Sequence, residues 1–288
     1  MTGKQVVLLT DFGIRDGSAQ VLEAVIARIN PNAKVRHLSH LVEPFDVYEG
    51  AFLLVANYWH FPPGTIFVAI VDPGVGTERK MLLVETDNYS FLGPDNGILW
   101  PTLEAERIEK ILVLAGNEVR KNAYAASRDA YFQRPASSVF EGRDYFAPAA
   151  ALASLLPPGG WNALGQELNE WNLERIRLGL RRKKDNGKIA LGQVVYVDSF
   201  GNLVIGCTKK EFDGFVGKGE FEISLGKENI RRLSGTYDEG KEGEPMALFG
   251  GDFEHPTEGS FLEIALKQDN ASLTLGMASS DEIAIIRR

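Results

Sequence analysis

Three short segments of this sequence place a carboxylate beside glycines, a combination that lets the backbone approach a ligand closely while an acid binds it. The segments are Thr10-Asp11-Phe12-Gly13, Asp72-Pro73-Gly74-Val75-Gly76-Thr77-Glu78-Arg79 and Gly93-Pro94-Asp95-Asn96-Gly97. Carboxylates in such segments accept hydrogen bonds from ligand hydroxyls or pair with cations. The alternative is that Asp and Gly simply form turns here. Their repetition favours a ligand site.

The motifs of the common cofactor sites and nucleophiles are missing from the sequence. Gly74-Val75-Gly76 lacks the third glycine of the dinucleotide fingerprint, and no Gly-Lys-Ser/Thr phosphate loop or Gly-x-Ser-x-Gly elbow occurs. His37 and His40 lack the spacing and the glutamate of a zinc protease, so we expect half-buried histidines and no metal. The single cysteine, Cys207, excludes an internal disulfide and a multi-cysteine metal site. Residue patterns alone therefore predict an acidic ligand site and name no reaction.

An α/β fold is predicted to position these segments. Apolar runs indicate strands, and amphipathic stretches between them indicate helices. The predicted strands are Gln5–Thr10, Val35–Leu38, Ile66–Val71, Met81–Val84 and Ile111–Leu114, and the predicted helices are Ser18–Ile29, Val47–Trp59 and Asp144–Leu156, with Asp144 as the cap. This alternation predicts a largely parallel α/β sheet. Ligands bind beyond the carboxyl ends of the strands in such sheets, which is where the three acidic segments lie.

The pattern changes after Pro157-Pro158-Gly159-Gly160 and the polar linker Arg181–Gly187. Short strands separated by turn residues follow: Ile189–Val197, Leu203–Cys207, Phe221–Leu225, Ala247–Phe249, Phe261–Leu266 and Ile283–Ile286. Spacing of this kind is typical of a small β-barrel. We therefore predict an N-terminal α/β domain over residues 1–185 and a C-terminal β-barrel domain over residues 186–288.

Length and charge restrict the class of partner. The chain has 288 residues, and 31 Lys+Arg against 39 Asp+Glu give a formal charge of -8. An acidic chain is a poor match for nucleic acid, whose partners have basic surfaces, and is compatible with a cationic or zwitterionic small ligand. The first apolar run, Val6–Leu9, is cut short by Asp11 and predicts a strand, and no apolar stretch suffices to span a bilayer. We expect a cytoplasmic protein with a small-molecule ligand.

The acidic segments belong to a longer series of motifs. In chain order the series is Thr10-Asp11-Phe12-Gly13 with Asp16, Val71-Asp72-Pro73-Gly74-Val75-Gly76-Thr77 with Arg79, Gly93-Pro94-Asp95-Asn96-Gly97, Phe140-Glu141-Gly142-Arg143-Asp144-Tyr145-Phe146-Ala147-Pro148 and Asp198-Ser199-Phe200-Gly201-Asn202. Through this series, which extends over nearly the whole chain, the sequence resembles the S-adenosyl-L-methionine hydroxide adenosyltransferases, relatives of the fluorinase and chlorinase enzymes.

The resemblance implies a fold, an assembly and a reaction. It implies an N-terminal α/β domain followed by a C-terminal β-barrel, and a homotrimer with each site between one subunit's N-terminal domain and its neighbour's C-terminal domain. It also implies in-line attack at C5′ of the ribose of S-adenosyl-L-methionine, with no cofactor. Water or hydroxide gives adenosine and L-methionine, whereas a halide gives a halogenated nucleoside.

The resemblance also implies substrate-binding roles for individual residues. Asp11 would bind the ribose hydroxyls, Asp198 would meet the methionine ammonium, and Phe200 and Asn202 would line the adenosine site. The remaining substrate-binding residues implied in this way are Phe45, Asp95, Asn96, Asn270 and Ala271. The segment Glu258-Gly259-Ser260 does not clearly keep the family's carboxylate-binding serine.

One departure from the family concerns the predicted catalytic residues. Hydrolytic members typically place an Asp–Arg–His triad around the attacking water; Asp72 and Arg79 match the first two, and Glu141 replaces the histidine. A glutamate can accept a proton or a hydrogen bond from water. We therefore predict hydrolysis with Asp72, Arg79 and Glu141 as catalytic residues, because Asp72 would repel a halide and can activate water. The alternatives are a halogenase and a catalytically weak protein that binds S-adenosyl-L-methionine or adenosine.

Overall fold

A computed structural model of the chain describes residues 4–157, 159–182 and 186–288. The chain divides into two compact units, one of Met1–Leu54 with Tyr58–Ile176 and the other of Val55–Asn57 with Arg177–Arg288. The predicted domain boundary follows residue 185. Lys183, Lys184 and Asp185 lie outside the described residues, so that boundary stays a prediction.

The first unit contains one seven-stranded sheet with helices packed on it. Its strands are β1 (Gln5–Thr10), β2 (Lys34–Ser39), β3 (Ile66–Ile70), β4 (Met81–Thr86), β5 (Ser90–Pro94), β6 (Ile108–Leu114) and β7 (Gly165–Glu167). The helices that lie wholly or mostly in this unit are α1 (Ser18–Ile29), α2 (Val47–Asn57), α3 (Trp100–Leu103), α4 (Gly116–Ser127) and α5 (Ala147–Leu155). The strand order is β2-β1-β3-β5-β4-β6-β7. The first four strands are parallel, and the remaining pairs are antiparallel.

The parallel strands are apolar because both faces of the sheet are covered. All of β3 is buried, as is β1 from Val6 to Thr10. The apolar stripe of α1 and most of the alanine-rich α5 lie in one core with these strands. This packing confirms the predicted α/β class. It also fixes the carboxyl ends of β1 and β3, from which the first two acidic segments start.

The start of α5 differs from the prediction. Asp144 does not cap the helix, which begins at Ala147 after a π-helical turn over Gly142–Phe146. The Asp144 side chain is fully buried, accepts a 2.7 Å hydrogen bond from the Ser137 amide and forms ion pairs with three arginines. Burial raises the pKa of Asp144, but the hydrogen bonds and the arginine charges hold it below the usual value. A buried anion with cationic partners is the physical reason for this correction.

The second unit is a nearly closed, barrel-like sheet. Its strands are β8 (Arg181–Arg182), β9 (Ile189–Val197), β10 (Leu203–Thr208), β11 (Phe221–Leu225), β12 (Glu228–Ile230), β13 (Leu233–Ser234), β14 (Met246–His255), β15 (Gly259–Ala265) and β16 (Glu282–Arg287). The order is β12-β11-β16-β9-β10-β15-β14-β13, and β8 pairs with β9. Side chains from β9, β10, β11, β15 and β16 share one core, because the sheet curls around them. The predicted β-barrel is confirmed.

Two helices of this unit, α6 (Lys209–Val216) and α7 (Ala271–Leu275), were not predicted. Each directly follows a capping residue whose side chain accepts a hydrogen bond from a backbone amide of the first turn: Thr208 for α6 and Asn270 for α7. Across the described ranges, no helix combines the length and the apolar character needed to cross a membrane.

Candidate functional site

The loop after β3 holds Asp72 and Arg79 together. The Arg79 Nε atom lies 2.8 Å from Asp72 Oδ1 and 2.7 Å from Oδ2, and Nη2 donates to Oδ2 as well. The Gly74 amide donates to Asp72 Oδ1 at 3.2 Å, which fixes the carboxylate relative to the backbone. The exposed fractions of the two side chains are 6% for Asp72 and 10% for Arg79. The pair is therefore a buried, forked ion pair with a defined geometry.

Glu141 reaches the same guanidinium from a distant part of the chain. It directly precedes the π-helical turn, its side chain is 13% exposed, and its Oε2 accepts a hydrogen bond from Arg79 Nη2. Burial by itself lowers the pKa of Arg79. The hydrogen bonds and charges of Asp72 and Glu141 raise it by more than burial lowers it, so the pKa lies above its usual value. Arg79 is thus a permanent cation between two carboxylates. The structure brings the three predicted catalytic residues together, and their catalytic role stays a prediction.

Two glycines allow these segments to approach each other. Gly76 has a φ of +80°, and a Cβ atom there would lie 2.7 Å from the carbonyl oxygen of Ser138. A Cβ atom at Gly142 would lie 3.2 Å from the Phe12 ring. Larger residues at these positions would push apart the segments that carry Asp72, Glu141 and the end of β1.

A cavity of about 270 Å³ is lined by Asp72 and Glu141, whereas Arg79, which joins these two carboxylates, is not among its lining residues. Its wall is mostly apolar, with carboxylates at Asp11, Asp72 and Glu141, and includes Phe45. The Phe45 amide donates to Asp11 Oδ2 at 3.0 Å. Phe45 has a φ of 71°, a strained conformation for a residue with a side chain, and 70% of the residue is exposed. Strain of this kind is concentrated at functional sites.

A chain of hydrogen bonds supports the loop that carries Asp11. Glu23 Oε2 lies 3.2 Å from His37 Nε2, His37 Nδ1 lies 2.7 Å from His40 Nε2, and His40 Nδ1 lies 2.8 Å from Thr10 Oγ1. Thr10 Oγ1 in turn accepts the Phe12 amide at 3.1 Å. Burial and the neighbouring His37 lower the pKa of His40 to about 4, so His40 is neutral at pH 7. The histidine pair therefore anchors the loop.

Asp95 and Asn96 lie outside the residues that line this cavity. Asp95 is 8% exposed, pairs with Lys80 at 3.1 Å and accepts the Glu174 amide at 2.9 Å. The Asn96 side chain donates to the Val71 carbonyl at 2.8 Å. Both are engaged within the first unit, and Asn96 supports the residue directly before Asp72. Their predicted contact with substrate stays a prediction.

The second unit has its own cavity, of about 720 Å³. Four of the predicted residues line it: Asp198, Phe200, Asn202 and Asn270. Phe200 is 78% exposed and presents its ring to solvent. Ala271 is not among the lining residues and is fully buried in the core of the unit at the start of α7. Four of these five predicted residues therefore lie together.

Asp198 organises one wall of this cavity. Its Oδ1 accepts the amides of Phe200 at 2.9 Å and Asn202 at 2.8 Å, and its Oδ2 accepts the Asn202 side chain at 2.9 Å. Gly201 has a φ of +85°, and a Cβ atom there would lie 2.1 Å from the Asn270 side chain. Only glycine fits, so the loop after β9 packs directly on the start of α7.

Sequence reasoning missed several polar residues of this cavity, namely Tyr237, Asp252, Glu263 and Asp269. Glu263 is 2% exposed, and its Oε2 accepts the Tyr237 hydroxyl at 2.6 Å. One signal could have found it, because a glutamate inside the apolar run Phe261–Ala265 places a charge on a buried strand. The other three carry no comparable pattern.

Comparison with known proteins identifies both parts of the chain. The family model of the SAM hydroxide adenosyltransferase N-terminal domain matches residues 6–158, and that of the C-terminal domain matches residues 192–284. A Thermus thermophilus protein named (R)-S-adenosyl-L-methionine hydrolase is 30% identical over 284 residues, which are 98% of this chain and 100% of the relative. A fluorinase from Actinoplanes is 22% identical over 223 residues, covering 69% of this chain and 70% of the relative.

A solved structure agrees with this assignment. The crystal structure of an uncharacterized conserved protein from Thermotoga maritima is 29% identical and superposes with a TM-score of 0.79. The match covers 98% of this chain and 100% of that chain. The likeness thus extends over both units and the segments that carry the site residues.

Proposed function

This chain belongs to the SAM hydroxide adenosyltransferase family, and we propose that it hydrolyses S-adenosyl-L-methionine to adenosine and L-methionine. The observation that carries the proposal is the Asp72–Arg79–Glu141 cluster beside the cavity of the first unit. The relatives named (R)-S-adenosyl-L-methionine hydrolase support it, since they match the chain at 30–34% identity.

The proposed reaction is an in-line displacement at C5′ of the ribose. A water oxygen forms a bond to C5′ while the C5′–S bond breaks, and the electron pair of that bond goes to sulfur. The sulfonium becomes a neutral thioether, so the leaving group needs no acid. The enzyme has to position and desolvate the nucleophile, which is a task for fixed side chains in a small cavity.

We assign the water to the Asp72–Arg79–Glu141 cluster. Each carboxylate can accept a hydrogen bond from the water and receive its proton as the C–O bond forms. Arg79 keeps the two anions in fixed positions and offsets their mutual repulsion. A halide between Asp72 and Glu141 would be repelled, which favours hydrolysis over halogenation. The reaction as proposed uses no cofactor and no metal.

Asp11 is the proposed acceptor for the ribose hydroxyls, and the second-unit residues Asp198, Phe200, Asn202, Asn270 and Ala271 are proposed to bind the rest of the substrate. We propose that these two sets meet between subunits of a homotrimer. The resemblance to the family motivates the assembly. We further propose a cytoplasmic location, because the single cysteine, Cys207, is free and buried.

The test is to incubate the purified protein with S-adenosyl-L-methionine, with and without chloride or fluoride, and to identify the nucleoside products. Adenosine irrespective of halide supports hydrolysis, whereas a halide-dependent nucleoside indicates a halogenase. Tight binding without turnover indicates a binding protein. The replacement of the family histidine by Glu141 is the reason for testing this alternative.

Asp72→Asn makes this test specific to the site. We expect at least about a 100-fold loss of kcat with little change in substrate binding, because the variant keeps the shape and loses the base. Glu78→Gln is the matched control, since Glu78 is an exposed carboxylate of the same loop. Unchanged turnover of Asp72→Asn would contradict the assigned role.

A further inference from the structure

The cavity of the second unit contains more negative charge than the proposed function uses. Asp198, Asp252, Glu263 and Asp269 line it, and none of the described residues on its wall is Lys, Arg or His. The resemblance assigns only Asp198, as the partner of the substrate ammonium. The other three carboxylates therefore need a separate explanation.

Glu263 has an unused, buried acceptor. Its Oε2 accepts the Tyr237 hydroxyl, whereas its Oε1 is buried and has no hydrogen-bond partner among the described residues. An unpaired buried carboxylate oxygen is unfavourable until a donor reaches it. A ligand group with N–H donors would supply that donor.

Glu263 Oε1 packs directly against the backbone of Gly251. Gly251 of β14 also lines the cavity, and a Cβ atom there would lie 1.5 Å from Glu263 Oε1. Its neighbour Gly250 has a φ of +125°, a conformation reserved for glycine. Gly251 thus leaves the space that the unpaired oxygen occupies, because any side chain at that position would collide with it.

Neighbouring anions act on the same group. Burial raises the pKa of Glu263, the Tyr237 hydrogen bond lowers it, and the charges of Asp198 and Asp252 raise it, leaving it above its usual value. The three carboxylates are thus close enough to repel one another. A cation among them would relieve that repulsion, and an added anion would increase it.

The segment that would hold a substrate carboxylate is acidic as well. The segment Glu258-Gly259-Ser260 does not clearly keep the family's carboxylate-binding serine, and its Glu258 accepts a 3.1 Å hydrogen bond from Thr208 Oγ1 and lies 3.6 Å from the Lys210 ammonium. The two lysines beside this segment are already paired, Lys210 with Glu258 and Lys209 with Asp213. An α-amino-acid end would bring its carboxylate to a region without a free cation on the described wall.

Building on the proposed function, we propose that Glu263 receives the ammonium of an adenosyl sulfonium whose side chain ends in an amine without a carboxylate. The preferred substrate is then the decarboxylated form of S-adenosyl-L-methionine, with a 3-aminopropyl arm on sulfur. Its two positive charges complement the four carboxylates, and it lacks the group that they repel.

The chemical step is the same for this substrate. Water adds to C5′, the C5′–S bond breaks, and sulfur keeps the electron pair. The products are adenosine and 3-(methylsulfanyl)propylamine, and the water proton passes through the Asp72 or Glu141 carboxylate to solvent. No oxidant, reductant or further reactant is required.

The decisive experiment measures kcat/KM of the wild-type protein for both compounds from the rate of adenosine release. A value for the decarboxylated compound equal to or above that for S-adenosyl-L-methionine supports the inference. A lower value overturns it and leaves the proposed function intact. Adenosine from neither compound overturns both, and adenosine from the decarboxylated compound alone supports the inference while removing S-adenosyl-L-methionine as substrate.

Glu263→Gln tests the assigned residue. We expect the ratio of the two kcat/KM values to shift about tenfold against the decarboxylated compound, because the variant loses the anion but keeps the Tyr237 acceptor. Glu228→Gln, an exposed carboxylate on β12, is the control and should leave the ratio unchanged. An unchanged ratio in folded Glu263→Gln overturns the assignment.

A second variant covers the case in which Glu263→Gln does not fold. Asp252 is exposed, and Asp252→Asn removes one of the neighbouring charges without disturbing the core. We expect the ratio to shift about threefold in the same direction. A ratio that stays constant or moves the other way contradicts the inference.

Discussion

The side-chain amide of Asn96 donates a 2.8 Å hydrogen bond to the carbonyl of Val71, the residue directly before Asp72. Asn96 Oδ1 in turn accepts the Ile98 amide at 3.2 Å. The turn after β5 is thereby joined to the loop after β3. The position of the Asp72 backbone thus depends on a residue that does not line the cavity.

Asn96→Asp should lower kcat by about tenfold or more with a smaller change in KM. The variant has nearly the same shape but faces the Val71 carbonyl with an acceptor, so the loop loses its anchor at a cost of about 1–3 kcal/mol. Steady-state rates of adenosine release measure the effect. Asn117→Asp, at an exposed position of α4, is the control. If KM rose by the same factor as kcat fell, the result would instead indicate that Asn96 contacts the substrate.

Glu141→His should keep or raise hydrolytic activity, because a histidine at this position can also accept the water proton. Glu141→Ala, which has no acceptor, should lose at least about tenfold. Adenosine release, with thermal unfolding as the check on folding, distinguishes the two. A folded Glu141→His as inactive as Glu141→Ala would show that this chain depends on the carboxylate itself.

Gly76→Ala should destabilise the protein by about 1–3 kcal/mol and reduce activity. The new Cβ would lie 2.7 Å from the Ser138 carbonyl at a φ of +80°, so the two segments around Arg79 must separate. Gly74→Ala is the matched control, because its Cβ meets no atom closer than 3.5 Å. Equal midpoints of urea unfolding for the two variants would show that the close approach of Gly76 to Ser138 does not matter for stability.

Stability should decrease as the pH rises through the titration of Glu49. Burial raises the pKa of this α2 glutamate from 4.5 to about 7. An acid with a raised pKa in the folded state contributes its full stability below pH 4.5 and loses it as the pH rises through 7. Glu49→Gln should therefore match the wild type near pH 4.5 and exceed it at pH 8 by up to about 3 kcal/mol.

Urea unfolding of the wild type and Glu49→Gln at a series of pH values measures this difference. Glu104→Gln, at an exposed position of the same unit, should follow the wild-type curve. Parallel curves for the wild type and Glu49→Gln between pH 4.5 and 8 would contradict the assignment.

Much of the fold was predictable because buried strands leave a local signal. The bounds predicted for β1, β9 and β11 agree with the structure, since each is an apolar or alternating run between turn residues. The antiparallel half of the first sheet was not predictable, because β4 is as apolar as the parallel strands β1 and β3 and its direction depends on the strands with which it pairs. The same limit applies to Asp144, since two of its three arginine partners, Arg120 and Arg134, lie on other segments.

The site was predictable only in part, for a related reason. Asp72 and Arg79 share one loop, but nothing in the spacing of residues places Glu141 at the same guanidinium, and the family motif alone suggested it. Tyr237 was missed because its segment carries no motif, and Glu263 was missed because nothing in its strand places the Tyr237 hydroxyl beside it.

The amide of Phe45 occupies one oxygen of Asp11 before any ligand arrives. The acid at the end of β1 is therefore already partly desolvated and oriented by its own polypeptide. On the proposed function, a ribose hydroxyl that reached Asp11 would meet a carboxylate already held in place, so little affinity would be lost to reorganising the protein. The orientation of Asp11 therefore depends on a strained residue, because Phe45, whose amide holds the carboxylate, adopts a left-handed backbone conformation and is largely exposed.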